Sequence, residues 1–329
     1  MKEKKLNAIE LFKKGCLLES FGCIDEAIMA YSSAIKLNPI NYLSYINRGD
    51  AYFKIGNYRQ AIKDYSKVIK LGYDDTSIYM NRGDAYEKLG KFNHAKEDYS
   101  KAIELDPKDI LGVHIRRATV YEMLFNHQQA INDYEKAITL GEEDVLIYMN
   151  RGVAYGNIGD YKRAISDFDK AIELDPKDAW YYLNRAFSCS RLGDYLKAIS
   201  DYDNIIKLNP KDNIINFIVY HSRGHAYGKL GNYKQMLKEH GRLIRLFPCI
   251  ETYIDRGDAY VVIGNFKQAI KDYDMAMKLT PKTNLTYYKL GIAYYKLGKE
   301  KLASRYLKKA ARSGNVDAQV FLEKSGIKW

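Results

Sequence analysis

An eight-residue segment, Tyr79-Met80-Asn81-Arg82-Gly83-Asp84-Ala85-Tyr86, returns along the chain at nearly fixed spacing. That recurrence constrains the fold more than any other feature, because a segment repeated in register is a structural unit. It reads YINRGDAY from Tyr45, YMNRGVAY from Tyr148 and YIDRGDAY from Tyr253, with looser copies from Tyr181 and Tyr220. Aligned on its small residue, the series runs Gly15, Gly49, Gly83, Ala118, Gly152, Ala186, Gly224, Gly257 and Gly291. Successive intervals are 34, 34, 35, 34, 34, 38, 33 and 34 residues, so nine units run from about Ala8 to Asn315. A second small residue follows twelve later: Ala27, Ala61, Ala95, Ala130, Ala164, Ala198, Ala269 and Ala303, with Met236 alone departing. Pro39, Pro107, Pro176, Pro210, Pro248 and Pro281 close six of the units.

Each unit carries two apolar stripes at helical spacing, separated by a turn of Gly and a following aromatic. The two small residues let helix A and helix B approach closely, and aromatics fill the space around that contact. A single buried ring contributes roughly 1.5–3 kcal/mol. One helix pair cannot bury its own face, so neighbours must stack to make a core, and the product is an all-α solenoid.

This pattern resembles the tetratricopeptide repeat family, whose signature has small residues at repeat positions 8 and 20, aromatics at 4, 11 and 24, and Pro at 32. Positions 4, 11 and 24 read Tyr45, Tyr52, Tyr65 in the second unit, Tyr79, Tyr86, Tyr99 in the third, and Tyr148, Tyr155, Phe168 in the fifth. The resemblance covers more than nine-tenths of the chain. It implies a right-handed α-solenoid of about nine helix-turn-helix units with a C-terminal capping helix. Residues 1–41 are expected to be an N-terminal capping repeat, with Glu10, Lys13 and Lys14 turned to water. Residues 42–314 are expected to hold eight further units in one continuous solenoid, and residues 315–329 a capping helix and a loose tail from Gly326. The capping helix, over Asn315–Ser325, would use Val316, Val320, Phe321 and Leu322 to cover the last core. Four extra residues within Asp212–Ile218 precede the seventh unit, which predicts an A helix starting one turn early or a local kink.

Arg recurs at position 7 of units two to eight: Arg48, Arg82, Arg117, Arg151, Arg185, Arg223 and Arg256. The same units carry an acid at position 23: Asp64, Asp98, Asp133, Asp167, Asp201, Glu239 and Asp272. Units one and nine lack both, which predicts an ion pair between helices A and B of one repeat rather than an arginine ladder for phosphate.

Composition narrows the setting. Cys16, Cys23, Cys189 and Cys249 have no metal-ligand spacing and read as free thiols of a reducing compartment. The N-terminus has no apolar signal region and no stretch is long enough to span a membrane, so a cytoplasmic protein without membrane contact is expected. The net charge of +11 is uneven. Residues 220–329 hold 21 basic and 9 acidic residues, whereas residues 111–219 hold 13 and 16.

In the resembled family, helix A lines a concave groove through positions 2, 5, 9, 12 and 13, which implies a partner-binding face here. Asn47, Asp50, Asn81 and Asp84 fall on it in units two and three, and Met149, Asn150 and Val153 in unit five. Trp180, Leu183, Asn184 and Phe187 fall on it in unit six, and His221 and His225 in unit seven. Apolar residues at positions 2, 5 and 9 are surplus to the repeat core, which makes Trp180 and Phe187 anchor candidates. Packing between neighbouring A helices is the other open reading. Asn47, Asn81, Asn150 and Asn184 either hold the backbone of an extended peptide, as in some tetratricopeptide solenoids, or bond between helices. The Ile46, Met80, Ile115, Met149 and Leu183 side chains at position 5 argue against the basic clamp by which related repeats hold a carboxylate.

No phosphate loop, nucleophile elbow or paired-cysteine motif occurs, so a non-enzymatic protein-binding scaffold without cofactor is expected. His221 and His225 share a helix face at metal-binding spacing, but no HExxH motif or third ligand accompanies them. A metal-dependent enzyme is the remote alternative. A second surface is basic: Lys234, Lys238, Arg242, Arg245, Lys267, Lys271, Lys301, Arg305, Lys308, Lys309 and Arg312 lie on B helices of the last units. It suits an acidic partner or nucleic acid, or is a solvated helix face. Oligomeric state is left open by the sequence.

Overall fold

The computed structural model describes residues 2–106, 111–141, 143–208, 211–280 and 283–328. Pro107, Pro210 and Pro281 lie outside these residues. The described residues form nineteen α-helices and no strand. The chain divides into two compact units, Met1–Lys170 and Ala171–Trp329.

Unit one holds α1 (Lys2–Ser20), α2 (Ile24–Leu37), α3 (Tyr42–Lys54), α4 (Tyr58–Lys70) and α5 (Thr76–Lys88). It continues with α6 (Phe92–Leu105), α7 (Leu111–Met123), α8 (His127–Thr139), α9 (Val145–Asn157) and most of α10 (Tyr161–Leu174). Unit two contains α11 (Ala179–Arg191), α12 (Tyr195–Leu208), α13 (Asn213–Lys229), α14 (Tyr233–Leu246) and α15 (Ile250–Val262). It ends with α16 (Phe266–Leu279), α17 (Asn284–Lys296), α18 (Glu300–Arg312) and α19 (Val316–Lys324). Odd-numbered helices are the A helices of the nine repeats and even-numbered ones the B helices, with α19 as the cap.

Local chemistry starts and stops each helix. Asp75, Asp144, Asp178 and Asp212 cap A helices by accepting the backbone N–H groups of Ser77, Leu146, Trp180 and Ile214. Between A and B the chain turns through a left-handed residue, which is Gly in most repeats, as at Gly90 (φ 69°) and Gly264 (φ 75°). In the fourth repeat this residue is Phe125 (φ 57°), a side chain 82% exposed.

The core follows the small-residue rule. Ala27, Ala61, Ala95, Ala130, Ala164, Ala198 and Ala269 are wholly buried where B meets A. In five repeats a B-helix ring presses on the A-helix glycine, and Ala118 and Ala186 stand at that position in the fourth and sixth. A Cβ built on Gly83 would lie 2.7 Å from Tyr99 Cε1, and one on Gly152 would lie 2.8 Å from Phe168 Cε1. That approach is closer than any side chain tolerates, which is why glycine recurs there.

The predicted ion pairs are present in all seven repeats. Arg82 Nε donates to Asp98 Oδ2 at 2.8 Å and Nη2 to Oδ1 at 2.6 Å, and Arg48, Arg117, Arg151, Arg185 and Arg256 make the same fork. Arg223 reaches Glu239 through a single 2.6 Å bond. The fork suits Arg, whose planar donors match a carboxylate. The remaining Nη1 reaches back to the preceding repeat. Arg48, Arg82 and Arg117 donate to Ser32, Ser66 and Ser100 Oγ at 2.9, 3.1 and 3.0 Å, and Arg223 to Asp203 at 2.5 Å. The arginine therefore fastens one repeat to the next as well as A to B.

Three expectations need revision. Val316 and Val320 of α19 are exposed, and Ala318 and Leu322 do the burying. The chain after Gly326 is not loose throughout, since Ile327 packs on the α18–α19 core and its N–H donates to Leu322 O. Position-5 side chains are not surplus to the core: Ile46, Met80, Ile115, Ile254 and Tyr288 pack against the repeat cores. In the seventh repeat, α13 has 17 residues where the other A helices from α3 to α17 have 13, so the insertion is an early helix start.

Candidate functional site

The A-helix face is threaded by a recurring polar contact. The position-24 tyrosine passes over the glycine, and its hydroxyl donates to an aspartate at position 9 of the same repeat. Tyr65 Oη reaches Asp50 at 2.7 Å, Tyr99 Oη reaches Asp84 at 2.6 Å, and Tyr273 Oη reaches Asp258 at 2.6 Å. Position 6 of the next repeat completes each set. Asn81 Nδ2 donates to Asp50 at 3.3 Å, Arg116 Nη1 to Asp84 at 2.5 Å, and Lys289 Nζ to both Asp258 oxygens at 2.8 and 2.6 Å. Burial raises the Asp50 carboxyl above its usual range, opposed by the Tyr65 hydroxyl. The same contact raises the Tyr65, Tyr99 and Tyr273 phenols, with burial the main cause in each.

In unit one, Asp50, Asn81 and Asp84 come together with Phe53, Lys54 and Tyr65 around a cleft of about 230 Å³. The asparagines have work inside the protein: besides Asn81, Asn47 Nδ2 donates to Cys16 Sγ at 3.4 Å and to Tyr31 Oη at 3.5 Å. Met149, Asn150 and Val153 lie half-buried on α9, and Val153 packs against the core beneath.

In unit two, Trp180, Leu183 and Phe187 lie on one side of α11, at spacings of three and four residues. Trp180 is 44% and Phe187 57% exposed. Asn184 on this helix donates to Trp180 O at 2.8 Å, an intrahelical bond. One repeat later, His221 Nε2 lies 3.3 Å from Asp255 Oδ2 and His225 is exposed. Asp255 raises the His221 imidazole above its usual value, whereas burial, helped by Lys229 and His221, lowers His225. His221 and His225 share a cleft of about 350 Å³ between α13, α14 and α15 with His240, Met236 and Asp255. Met236 and His240 stand out in the sequence as breaks in the repeat, yet only folding shows that they line one space. No three His, Cys, Asp or Glu side chains among the described residues are placed to hold a metal ion.

The basic set divides. Lys234, Lys238, Arg245, Lys267, Lys271, Lys301, Arg305, Lys309 and Arg312 are exposed on α14, α16 and α18. Arg242 and Lys308 are half-buried, and Arg242 is tied to Glu239 at 3.1 Å. Among the described residues, no helix is long and apolar enough to cross a membrane. The four cysteines are unbridged, with Cys189 buried.

Tetratricopeptide repeat profiles match residues 77–109 and 145–178, residues 30–63 and 168–200, and residues 111–143 and 286–313. A further TPR repeat profile matches residues 49–90 and 257–298. Among solved structures, the chain is similar to YrrB, described as a TPR protein with an unusual peptide-binding site. Identity is 22% over 59% of this chain and 97% of that one, with a TM-score of 0.53. It is also similar to the C-terminal part of a TPR repeat-containing protein from Cytophaga hutchinsonii. There identity is 20% over 85% of this chain and 99% of that one, with a TM-score of 0.53. At these identities the likeness is one of fold. With a repeat profile on seven of its units, the glycine-ring contacts and the paired helices in place, the chain belongs to the tetratricopeptide repeat family.

Proposed function

We propose that the chain is a non-enzymatic interaction scaffold that holds a peptide or protein segment against its A-helix face, anchored on Trp180 and Phe187. The observation that carries this reading is the exposure of two large aromatics on one side of α11, with Leu183 between them. Rings exposed in this way are enriched where binding energy concentrates. Within unit one, Met149, Asn150 and Val153 on α9, and Asn47, Asp50, Asn81 and Asp84 on α3 and α5, are a contact set of their own in this reading. The unit-one cleft adds acidic groups that suit a basic or hydrogen-bond-donating segment.

The test is capture from source-cell lysate by the wild type and by Trp180→Ala/Phe187→Ala, at low and high salt and with nuclease. A protein held at high salt by the wild type and lost by the variant supports the reading. Equal capture by both sinks it. A second reading rests on the exposed cations of α14, α16 and α18. Among the described residues, Lys234, Lys238, Lys267, Lys271, Lys301 and Arg305 form no ion pair. An acidic partner or nucleic acid held there would be released by salt in wild type and variant alike.

A further inference from the structure

The seventh repeat breaks the pattern that fills the A-helix face elsewhere. Seven repeats place their own ring at position 24: Tyr31, Tyr65, Tyr99, Tyr134, Phe168, Tyr202 and Tyr273. Each is buried to within 3% of full cover. In five of these the ring presses on a position-8 glycine, to 2.5 Å from a Cβ built on Gly257, and in the other two position 8 is Ala118 or Ala186. The seventh repeat has His240 instead, and the smaller ring stands back: a Cβ built on Gly224 would meet nothing closer than 3.4 Å.

Neighbouring positions change with it. Position 9 is His225, where the second, third and eighth repeats have Asp, and position 20 is Met236 in place of Ala. Met236 swings over Gly228, where its Sδ would lie 2.7 Å from an added Cβ. The result is the cleft of about 350 Å³ between α13, α14 and α15, a size typical of ligand sites. Its floor is His240, 6% exposed, whose Nδ1 has no hydrogen-bond partner among the described residues. Such orphaned buried nitrogens are uncommon and costly to leave unsatisfied. The walls are mostly apolar or soft, from Met236, Ala259 and Val262, with His225 and the His221–Asp255 pair at the polar side.

We infer that this cleft is a specificity pocket for a tyrosine side chain of the bound segment, seated where the seventh repeat lacks the ring its neighbours supply. The inference rests on the reading that the chain binds a peptide, and it adds what that peptide carries. A ring suits the pocket because thioether sulfur packs well against aromatics. A phenol suits it better than a bare ring, because the imidazoles supply acceptors and donors at the polar side. The repeats with an aspartate at position 9 show the arrangement intramolecularly, as in Tyr273 on Asp258.

The test uses N-acetyl-L-tyrosinamide and N-acetyl-L-leucinamide as probes, titrated into the full chain while the histidine ring and methionine methyl resonances are followed by NMR. The expected result is a saturable response at His225, His240 and Met236 to the tyrosine probe, with the leucine probe at least about tenfold weaker. His240→Tyr returns a ring to the seat and abolishes the response. Val262→Asp places a charge on the exposed rim without touching the core, and weakens binding several-fold. A response equal for both probes, one that His240→Tyr and Val262→Asp both keep, or no saturable response overturns the inference. Trp180→Ala/Phe187→Ala leaves the probe response intact. Loss of protein capture in that variant with retained probe binding therefore separates the anchor reading from the pocket.

Discussion

Substituting alanine at two equivalent glycines of unit two should move stability in opposite directions. Gly257 and Gly224 both occupy position 8 of an A helix, in α15 and α13, and both are buried. A methyl at either site gains roughly 0.5–1 kcal/mol of helix propensity over glycine. At Gly257 the added carbon would fall 2.5 Å from Tyr273 Cε1 and 2.8 Å from Cδ1, inside a ring held on its other side by the core. Relieving such overlap costs about 1–3 kcal/mol. At Gly224 the nearest atoms, Glu239 Cβ and His240 Cε1, lie at 3.4 Å, an ordinary contact. The propensity gain is common to both variants, so their difference isolates the packing cost of about 1–3 kcal/mol. Gly224→Ala should be as stable as the parent or slightly more so, and Gly257→Ala less stable. In a thermal melt each kcal/mol separates them by roughly 2–4 °C for a unit of this size. Equal melting temperatures, or a Gly224→Ala at least as damaging as Gly257→Ala, would show that the histidine does not open the seventh repeat.

Three further outcomes are expected. Asp98→Ala leaves the Arg82 guanidinium, 18% exposed, without its fork and should lower the unfolding free energy of unit one by about 3–5 kcal/mol in urea. Lys101→Ala, which breaks the exposed Lys101–Glu104 pair, should cost no more than ~1 kcal/mol, and equal costs would refute the buried-pair account. Phe125→Gly relieves a left-handed bulky residue and should stabilise unit one by about 1–2 kcal/mol, measured the same way. The third concerns pH. Burial holds His240 below its usual value of about 6.5, so the unfolded chain takes up a proton that the fold refuses. Stability of unit two should therefore fall as pH drops from about 6.5 toward 5, with His225 adding in the same sense. His221, raised by Asp255, acts oppositely: its contribution is complete below about pH 6.5 and fades as pH rises through its raised value. His240→Gln should flatten the acid limb of melting temperature against pH and leave the alkaline one. An unchanged acid limb would remove His240 as its cause.

Much of the fold is legible in the residue string because the repeat reports the same local physics nine times. Arg82 and Asp98 could be paired from sequence because both vanish together in the first and ninth repeats. The serine that completes the arginine contact recurs only at Ser32, Ser66 and Ser100, and a hydroxyl is common on helix surfaces and carries little signal alone. The candidate site was less legible. Position 5 looked free for a partner in one repeat viewed by itself, yet Ile46 and Met80 are used by the packing of neighbours. Asn47 and Asn81 looked available for a peptide backbone, and the fold gives their amides partners within the protein.

The sequence by itself determined the helix pairs, the small-residue contacts and the seven ion pairs. These depend on neighbours within about one repeat length, so periodicity encodes them directly. Only the tertiary structure decided which apolar side chains remain exposed, that Phe125 adopts the glycine conformation, and that His221, His225, Met236 and His240 surround one cleft. Those outcomes depend on how much room each neighbouring helix leaves. A change from tyrosine to histidine specifies a lost ring, but the space it opens is set by three helices packing at once.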